Sequence, residues 1–247
     1  MRLDFSEICS RGGRPSNQDN ACGRSDGGKA CFVVCDGLGA YSGSGIASEI
    51  CAREMCSEFM ERGSATADSV AAITEETHRR IIEEKYNSDG MYNACTTFAG
   101  VFTDGIRTVV AHIGDSRVYL IRGGAIRFCT ADHSVAQLDV TGGRISRRDL
   151  RFHRDQNKLT RVLGGKRYFP PDVRVFEEAP RAGDAFLLCT DGFWEYVEES
   201  EMEEALALEG ADGGDMLRFM ENRLISRAPA DNDNYTALLV RALTEEE

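Results

Sequence analysis

Apolar residues occur along this chain mainly in short runs bounded by turn-forming residues, which is the pattern of β-strands. Two dipeptides between such runs, Asp104-Gly105 and Gly123-Gly124, are typical of tight hairpin turns. The runs predict strands over residues 3–9, 30–35, 96–102, 107–113, 117–121, 125–129, 173–176, 185–189 and 235–241.

Helical periodicity appears in two pairs of segments. Apolar residues from 46 to about 60 recur at the spacing of one helix face. A second helix is predicted over 67–86, because hydroxyl side chains just before it can cap its N-terminus. The second pair is predicted over about 199–208 and 215–226. Residues 131–167 are polar and basic, and we expect short helices and exposed loop there.

The order of these elements predicts an α+β fold. Strands, a helix pair, a meander of strands, and then strands and helices again do not follow the alternation of a parallel βαβ chain. The sequence contains no internal repeat, low-complexity tract or linker. We therefore expect the 247 residues, 1–247, to form a single catalytic domain.

Four of the predicted strands begin or end at an aspartate. Asp36, Asp115 and Asp191 follow an apolar run, and Asp233 precedes one. A fifth acid, Asp19, lies in the polar, turn-rich segment 10–20. We expect these carboxylates to converge on one site.

Convergent carboxylates favour a metal ion, because they repel one another and take up protons unless a cation neutralises them. Oxygen ligands without paired His or Cys favour Mg²⁺ or Mn²⁺ over zinc. Glycines 37, 114 and 192 beside three of the acids fit a backbone that turns tightly there. Each Asp-Gly taken singly is more often only a turn, so the prediction depends on the combination.

Composition narrows the class of protein. The formal net charge of −12 argues against nucleic acid or an anionic membrane surface as the main partner. The nine cysteines include no Cys-x-x-Cys pair, and we expect reduced, mostly buried thiols, as in the cytosol. No segment approaches the roughly 18 apolar residues of a membrane span, and the N-terminus has no signal-like apolar core. We therefore expect a cytoplasmic protein.

Five short motifs contain the acids and follow one another in a characteristic order. They are Arg14-x-x-Asn17-Gln18-Asp19, Asp36-Gly37-Leu38-Gly39, Gly114-Asp115-Ser116-Arg117, Thr190-Asp191-Gly192-Phe193 and Asp233-Asn234-Tyr235-Thr236. Together they resemble the motif set of the metal-dependent serine/threonine protein phosphatases, the protein phosphatase 2C type in its compact bacterial form. The resemblance runs from about Arg14 to Val240.

The resemblance implies two antiparallel β-sheets packed as a sandwich and flanked on both faces by α-helix pairs, a four-layer αββα arrangement. It also implies two core Mn²⁺ or Mg²⁺ ions and, in some bacterial members, a third. Asp36 would bridge the two core ions, with the Gly37 carbonyl on one of them. The remaining roles would be Asp191 and Asp233 on the other ion, Asp19 through a metal-bound water, Asp115 with Asp191 at the third site, and Arg14 on the substrate phosphate.

The implied activity is hydrolysis of phosphoserine and phosphothreonine in proteins. A hydroxide bridging two metal ions attacks phosphorus in line with the leaving oxygen, Arg14 and the metals neutralise the phosphoryl oxygens, and no phosphoenzyme forms. No cysteine has to act as nucleophile, so Cys35 and Cys189 are interpreted as core residues. Expected partners are phosphoserine and phosphothreonine proteins, among them a serine/threonine kinase and its substrates, and we expect a monomer that binds neither nucleic acid nor a membrane.

Three positions concern proton donation and the third metal. Leu38 stands where animal members carry a histidine proposed as general acid, so the source of the leaving-group proton is open. His133 is the nearest candidate, and a structural role is the alternative. Glu195 stands where some members place an additional acid for the third metal.

Residues 134–158 match the mobile flap beside the family's active site. Its bases are Arg144, Arg147, Arg148, Arg151, Arg154 and Lys158. They either recruit acidic or phosphorylated substrates or are solvated charges on an exposed loop.

Two other functions compete with catalysis. The first is a catalytically weak or inactive relative that binds phosphoproteins as a regulatory module. The second is a nucleotide-binding protein that uses Gly37–Gly45 as a phosphate loop, although this loop lacks a Gly-Lys-Ser/Thr ending.

Overall fold

Two five-stranded antiparallel sheets form the centre of the computed structural model, which describes residues 2–39 and 43–244. In the order of the strands across it, the first sheet contains β1 (Arg2–Ser10), β10 (Tyr235–Leu243), β9 (Ala185–Cys189), β6 (Arg117–Arg122) and β7 (Ala125–Cys129). The second contains β2 (Asp19–Asp26), β3 (Lys29–Asp36), β4 (Phe98–Thr103), β5 (Thr108–Ile113) and β8 (Asp172–Phe176).

The inner strands of the sandwich carry apolar side chains on both of their faces. One face packs against the other sheet, and the opposite face packs against helices. In β3, Phe32 and Val34 contact residues of the first sheet, such as Leu188 and Val240. The side chains between them, including Cys31 and Val33, point the other way into a helical layer. Because both faces of β3 are buried, its sequence is a continuous apolar run.

Helix pairs cover both outer faces of the sandwich. Helices α1 (Ser44–Arg62) and α2 (Ala67–Asn87) pack on the second sheet, and α5 (Glu199–Leu206) and α6 (Gly213–Arg227) pack on the first. Two short helices, α3 (Val135–Thr141) and α4 (Asp191–Trp194), and a 3₁₀ turn over Arg147–Phe152 complete the described elements. The structure confirms the predicted α+β sandwich of four layers.

Strand β2 is the main element that the apolar pattern does not predict. The sequence Asp19–Asp26 is polar, and β2 forms because its backbone pairs with β3 along its whole length. It lies at the edge of its sheet, where polar residues are common because one side of the strand faces solvent. The one-turn helix α4 was also not predicted.

The cysteines lie partly in the core and partly nearer the surface. All nine are free thiols, and Cys35 and Cys189 are completely buried in the core. None of the helices in the described ranges has the length and apolar character needed to cross a membrane.

Strand pairing brings distant segments to one end of the sandwich. Asp19 at the start of β2 lies opposite Asp36 at the end of β3. In the first sheet, Cys189 at the end of β9 pairs with Ala237 near the start of β10 and with Arg117 at the start of β6. The acidic strand ends predicted from the sequence therefore meet at this edge.

Candidate metal centre

Three of the predicted acids form a compact carboxylate cluster. One oxygen from each of Asp36, Asp115 and Asp191 lies within 4.8 Å of the others. Asp115 and Asp191 are almost fully buried, whereas Asp36 keeps part of its surface accessible. Asp19 is buried beside Asp36, its partner in the β2–β3 register, and Asp233 lies at the exposed rim.

Threonine and serine hydroxyls fix the backbone at Asp36. The Asp36 amide donates to Oγ1 of Thr97 at 3.0 Å, and the Asp36 carbonyl accepts from Oγ1 of Thr96 at 2.9 Å. Oγ1 of Thr97 also lies 2.7 Å from Oγ of Ser116, next to Asp115. These contacts couple the turn after β3 to the β5–β6 hairpin, which sets the spacing between two of the acids.

The glycines beside the acids have two different structural causes. Gly114 has φ +101°, so it adopts the left-handed conformation expected of a tight turn. Gly37 and Gly192 do not have positive φ, so a left-handed backbone conformation is not what requires glycine at these two positions. A Cβ on Gly37 would lie 2.5 Å from the carbonyl oxygen of Ser44, and one on Gly192 would lie 2.1 Å from that of Asn234. Close backbone approach is therefore the reason for these two glycines.

Thr190 links Asp19 of the second sheet to β10 of the first sheet. Its hydroxyl donates to Oδ2 of Asp19 at 2.8 Å and accepts the amide of Thr236 at 2.9 Å. Sequence reasoning placed Thr190 inside a motif without giving it a role. A hydroxyl immediately before a motif aspartate is the signal that could have identified it.

Asn234 orders the loop that carries Arg14 and Asp19. Its side-chain amide donates to the carbonyls of Arg11 and Ser16 at 2.9 Å each, and its Oδ1 accepts the amide of Gln18 at 2.8 Å. All three hydrogen bonds join residues more than 200 positions apart in sequence. Their partners are backbone groups, so the sequence around Asn234 does not indicate them.

Arg14 reaches the cluster through Asp233. Its Nε and Nη2 donate to the two oxygens of Asp233 at 3.1 and 3.0 Å, a fork-to-fork pair. Both side chains are about half exposed, so the guanidinium is accessible to a ligand from solvent. This geometry places the predicted phosphate-binding arginine at the mouth of the cluster.

Burial and mutual repulsion keep these carboxyls protonated in the absence of a cation. Burial, followed by the neighbouring acids, raises the pKa of Asp36, Asp115 and Asp191 well above the ordinary value. Burial raises the pKa of Asp19 to about 7, although the Thr190 hydroxyl acts in the opposite direction. A bound cation would reverse this balance by stabilising the charged forms.

The donor set fits a hard divalent cation. Oδ1 of Asp19 and Oδ1 of Asp115 are buried and accept no hydrogen bond within the described part of the chain. An unpaired buried carboxylate oxygen is costly unless a ligand satisfies it. The cluster offers oxygen atoms only, the ligands that Mg²⁺ and Mn²⁺ prefer. The residues present therefore fit the implied ions.

A second group of potential ligands, His112, His133 and Asp172, also lies within 4.8 Å. The two imidazole rings are stacked, with centroids 4.5 Å apart and planes 15° from parallel. Their nitrogen lone pairs lie in nearly parallel planes and do not converge on one point. Arg161 also donates to Asp172 at 2.7 Å and places its own positive charge there. We interpret this group as structural.

His133 has a structural environment as well. Its Nδ1 accepts the Gly114 amide at 3.1 Å, and its Nε2 lies 3.2 Å from Oδ2 of Asp172. Burial and the neighbouring His112 lower its pKa to about 4, so the ring is neutral near neutral pH. These contacts favour the structural alternative over proton donation.

Helix α4 carries Asp191 and is anchored to the flap-like segment. The indole of Trp194 donates to the Asp115 carbonyl at 2.9 Å, and Arg151 donates to the carbonyls of Trp194 and Val197 at 2.9 and 3.1 Å. Gln156 donates to Glu195 at 2.6 Å. Burial, with repulsion from Asp233 second, raises the pKa of Glu195 to about 7.

The basic side chains of residues 134–158 have partners inside the fold. Arg151 is buried and pairs with Glu199 at 2.6 Å, which does not fit a solvated charge. The other bases contact acids or a carbonyl: Arg144 pairs with Asp139, Arg147 with the Thr130 carbonyl, Arg148 with Glu198, and Arg154 and Lys158 with Asp155. In these pairs Arg144, Arg148, Arg154 and Lys158 are 64–90% exposed, so they fit solvated charges on an exposed loop.

The nucleotide-loop hypothesis can be compared with only part of its segment. Residues 40–42 of Gly37–Gly45 lie outside the described residues. Next to them, the Gly37 amide donates to the Gln18 carbonyl at 3.1 Å and the Leu38 amide donates to the Cys95 carbonyl at 3.0 Å. These two amides are engaged within the protein and do not offer donors to a phosphate.

Comparisons with known proteins agree with this geometry. The protein phosphatase 2C family matches residues 9–228. The serine/threonine phosphatase Stp of Listeria monocytogenes serotype 4b is 30% identical over 244 residues, which cover 95% of this chain and 90% of that protein.

Solved structures show the same fold. The S. agalactiae serine/threonine phosphatase superposes with a TM-score of 0.83 at 24% identity, covering 98% of this chain and 100% of that one. The catalytic domain of the phosphatase PstP, solved in complex with two manganese ions, superposes with a TM-score of 0.79 at 24% identity, covering 98% and 99%.

Proposed function

Because the chain belongs to the protein phosphatase 2C family and is a protein phosphatase, we propose that it hydrolyses phosphoserine and phosphothreonine in proteins with two divalent metal ions and no phosphoenzyme intermediate. The observation that carries the proposal is the convergence of Asp36, Asp115 and Asp191 from three separate turns. Carboxylates crowded in this way ionise together only when cations neutralise them.

The ligand roles are proposed from the motif assignment. Asp36 would bridge the two ions, with the Gly37 carbonyl on one of them; Asp191 and Asp233 would hold the other, and Asp19 would act through water. Asp115 with Asp191 would hold a third ion. When bound, two such ions lower the pKa of a shared water toward neutrality and so supply the attacking hydroxide. The manganese-bound PstP structure supports Mn²⁺, and Mg²⁺ is the alternative.

The chain's own contribution is binding and orientation. Arg14 turns its fork from Asp233 toward two phosphoryl oxygens and neutralises charge that develops there during in-line attack. Thr190 and Asn234 hold the loop that carries Arg14 and Asp19 in place. Leu38 and His133 supply no proton to the leaving group, because one is apolar and the other is engaged as a neutral ring.

The wider expectations become part of this proposal. The substrates are phosphoproteins, including those modified by a serine/threonine kinase and the kinase itself. The protein works in the cytoplasm as a monomer, and residues 1–247 act as one catalytic domain.

The decisive experiment is hydrolysis of a phosphothreonine peptide with Mn²⁺ and with EDTA. We expect Mn²⁺-dependent turnover, and a loss of at least about 100-fold in kcat/KM for Asp36→Asn and for Asp191→Asn. Asp26→Asn, at the far end of β2 from the cluster, is the matched control and should keep full activity.

Turnover that is unaffected by EDTA, or full activity in both cluster variants, would contradict the two-metal mechanism. No turnover with Mn²⁺ or Mg²⁺, together with binding of the intact phosphopeptide, would instead favour the regulatory binding module.

A further inference from the structure

A groove of about 710 Å³ lies beside α2, between the C-terminal half of that helix, the loop after it and residues 164–166. We call it the α2 groove; its lining residues fall within 78–86, 92–95 and 164–166. Its volume lies in the range of about 300–1,000 Å³ that is usual for ligand sites. Tyr86 and Tyr92 line the groove, and 87% and 77% of their respective surfaces are exposed.

The wall of the α2 groove is fixed by hydrogen bonds. Nδ1 of His78 accepts the Gly164 amide at 3.2 Å, and Lys85 donates to the Gly164 carbonyl. Gly164 has φ +76°, and a Cβ there would lie 2.8 Å from Cγ2 of Ile81. Only glycine permits this approach, so the wall at 164–166 is held against α2.

The charge of the groove is opposite to that of the chain. Arg79, Lys85 and Lys166 line it. Arg79 is paired with Glu76 on its own helix, whereas neither lysine has a carboxylate partner within residues 2–39 and 43–244. The acid that lines it, Glu83, lies 3.9 Å from Arg80 on its own helix. The chain as a whole has a net charge of −12, but these two lysines, which lie beside exposed tyrosines, make the groove locally positive. The groove therefore attracts acidic groups.

The α2 groove and the metal centre share a backbone segment. Cys95 lines the groove, and its carbonyl accepts the Leu38 amide at 3.0 Å. The next residue, Thr96, donates its hydroxyl to the Asp36 carbonyl at 2.9 Å. The wall of the α2 groove and the backbone at Asp36 are therefore joined by hydrogen bonds through residues 95 and 96.

We propose that the α2 groove docks an acidic segment of the phosphoprotein substrate, with its carboxylates at Lys85 and Lys166 and its apolar atoms against Tyr86 and Tyr92. The inference builds on the proposed phosphatase activity and specifies its substrate class. The acidity of the docked segment follows from charge complementarity with the two lysines.

The test compares two phosphothreonine peptides that differ only in their flanking residues, glutamates in one and glutamines in the other. With the unchanged protein and Mn²⁺, the acidic peptide should have a KM about fivefold lower at low salt, and the difference should vanish at high salt. Lys166→Glu should abolish the preference while kcat/KM on a small aryl phosphate stays unchanged.

Arg127→Glu is the matched control, because it makes the same charge change at an exposed arginine on β7, in the other sheet. It should keep the preference for the acidic peptide. Equal KM values for the two peptides, or the same loss in both charge variants, would overturn the docking proposal.

A binding measurement separates this proposal from the proposed function. The unphosphorylated glutamate peptide, labelled with a fluorophore, should bind the unchanged protein, and Lys166→Glu should weaken that binding about fivefold by anisotropy. This result supports the α2 groove even if hydrolysis is absent, in which case the proposed activity fails alone. Hydrolysis without any such binding difference refutes the groove alone.

Discussion

The guanidinium of Arg14 covers both oxygens of Asp233, one predicted metal ligand. A cation at Asp233 would share these two oxygens with the arginine fork, and the two positive charges would repel each other. A phosphate drawn to the cation would in turn attract Arg14 away from the carboxylate. At the residue scale, metal loading and substrate binding are thus linked through one side-chain pair.

Arg14→Ala should separate these two effects. We expect kcat/KM for a phosphopeptide to fall about 100-fold, because a donor to the phosphoryl oxygens is lost. Mn²⁺ affinity, measured by calorimetry, should rise because Asp233 is released. Arg11→Ala, an exposed arginine in the same loop, should change neither. Weaker Mn²⁺ binding in Arg14→Ala would contradict this repulsion.

At the residue scale, the sequence predicted the positions of the acids better than it predicted the residues that hold them in place by hydrogen bonds. Asp36, Asp115 and Asp191 follow apolar runs, and such positions are visible in one dimension. Thr190 and Asn234 act through hydrogen bonds to residues far away in sequence, and nothing in their neighbours indicates those partners. Gly37 and Gly192 were recognised as necessary, but close packing rather than φ requires them.

Among the elements, the 3₁₀ turn over Arg147–Phe152 anchors α4 and with it Asp191. Arg151 is the anchor: its side chain is 5% exposed and bonds to two carbonyls and to Glu199. Removing a buried, hydrogen-bonded charge leaves its partners unsatisfied.

Arg151→Met should therefore lower the free energy of unfolding by about 3 kcal/mol, measured by urea denaturation. Arg148→Met is the control from the same turn: Arg148 is 78% exposed and contacts Glu198 at 3.4 Å. It should cost less than about 0.5 kcal/mol. Equal effects of the two changes would show that Arg151 is not an anchor.

Strand β2 shows where element prediction from sequence stops. Its eight residues carry no alternating apolar pattern, and they become a strand because β3 offers unpaired backbone groups. The buried strands were predicted well because both of their faces are covered. Because β2 is stabilised by hydrogen bonds to the backbone of β3, its side chains need not follow the apolar pattern from which strands are predicted.

For the whole molecule, the cluster links stability to pH. Asp19 has a pKa of about 7 when folded, against an ordinary value of 3.8, and the pKa values of Asp36 and Asp191 are also raised well above that value. The metal-free fold therefore holds protons that the unfolded chain has lost, and the contribution of these acids to stability falls as pH rises through this window. A cation must displace the same protons, so its binding strengthens as pH rises.

The expected outcome is a thermal stabilisation by Mn²⁺, relative to EDTA, that grows between about pH 5 and 8. Burial lowers the pKa of His112 and His133, which acts in the opposite sense, but this contribution is common to both measurements and cancels in the difference. Asp36→Asn should reduce the pH dependence. A stabilisation independent of pH would show that these carboxyls are already ionised without metal.

At the scale of the molecule, apolar pattern alone predicted only the α+β class. The four-layer arrangement came from the resemblance of the ordered motifs. Which strands pair across the sheets depends on contacts between residues far apart, such as β1 with β10. Those contacts follow from burial in three dimensions and are not visible in any local window of the sequence.

The pairing of β1 with β10 has a consequence during protein synthesis. Asp19 and Asp233 lie near the two ends of the chain, and the Asn234 contacts with the loop before Asp19 need both to be present. A nascent chain still emerging from the ribosome lacks Asp233, and its early acids have no final strand beside which to assemble. A chain that ends before β10 therefore lacks Asp233 and the Asn234 contacts that order the loop carrying Arg14 and Asp19.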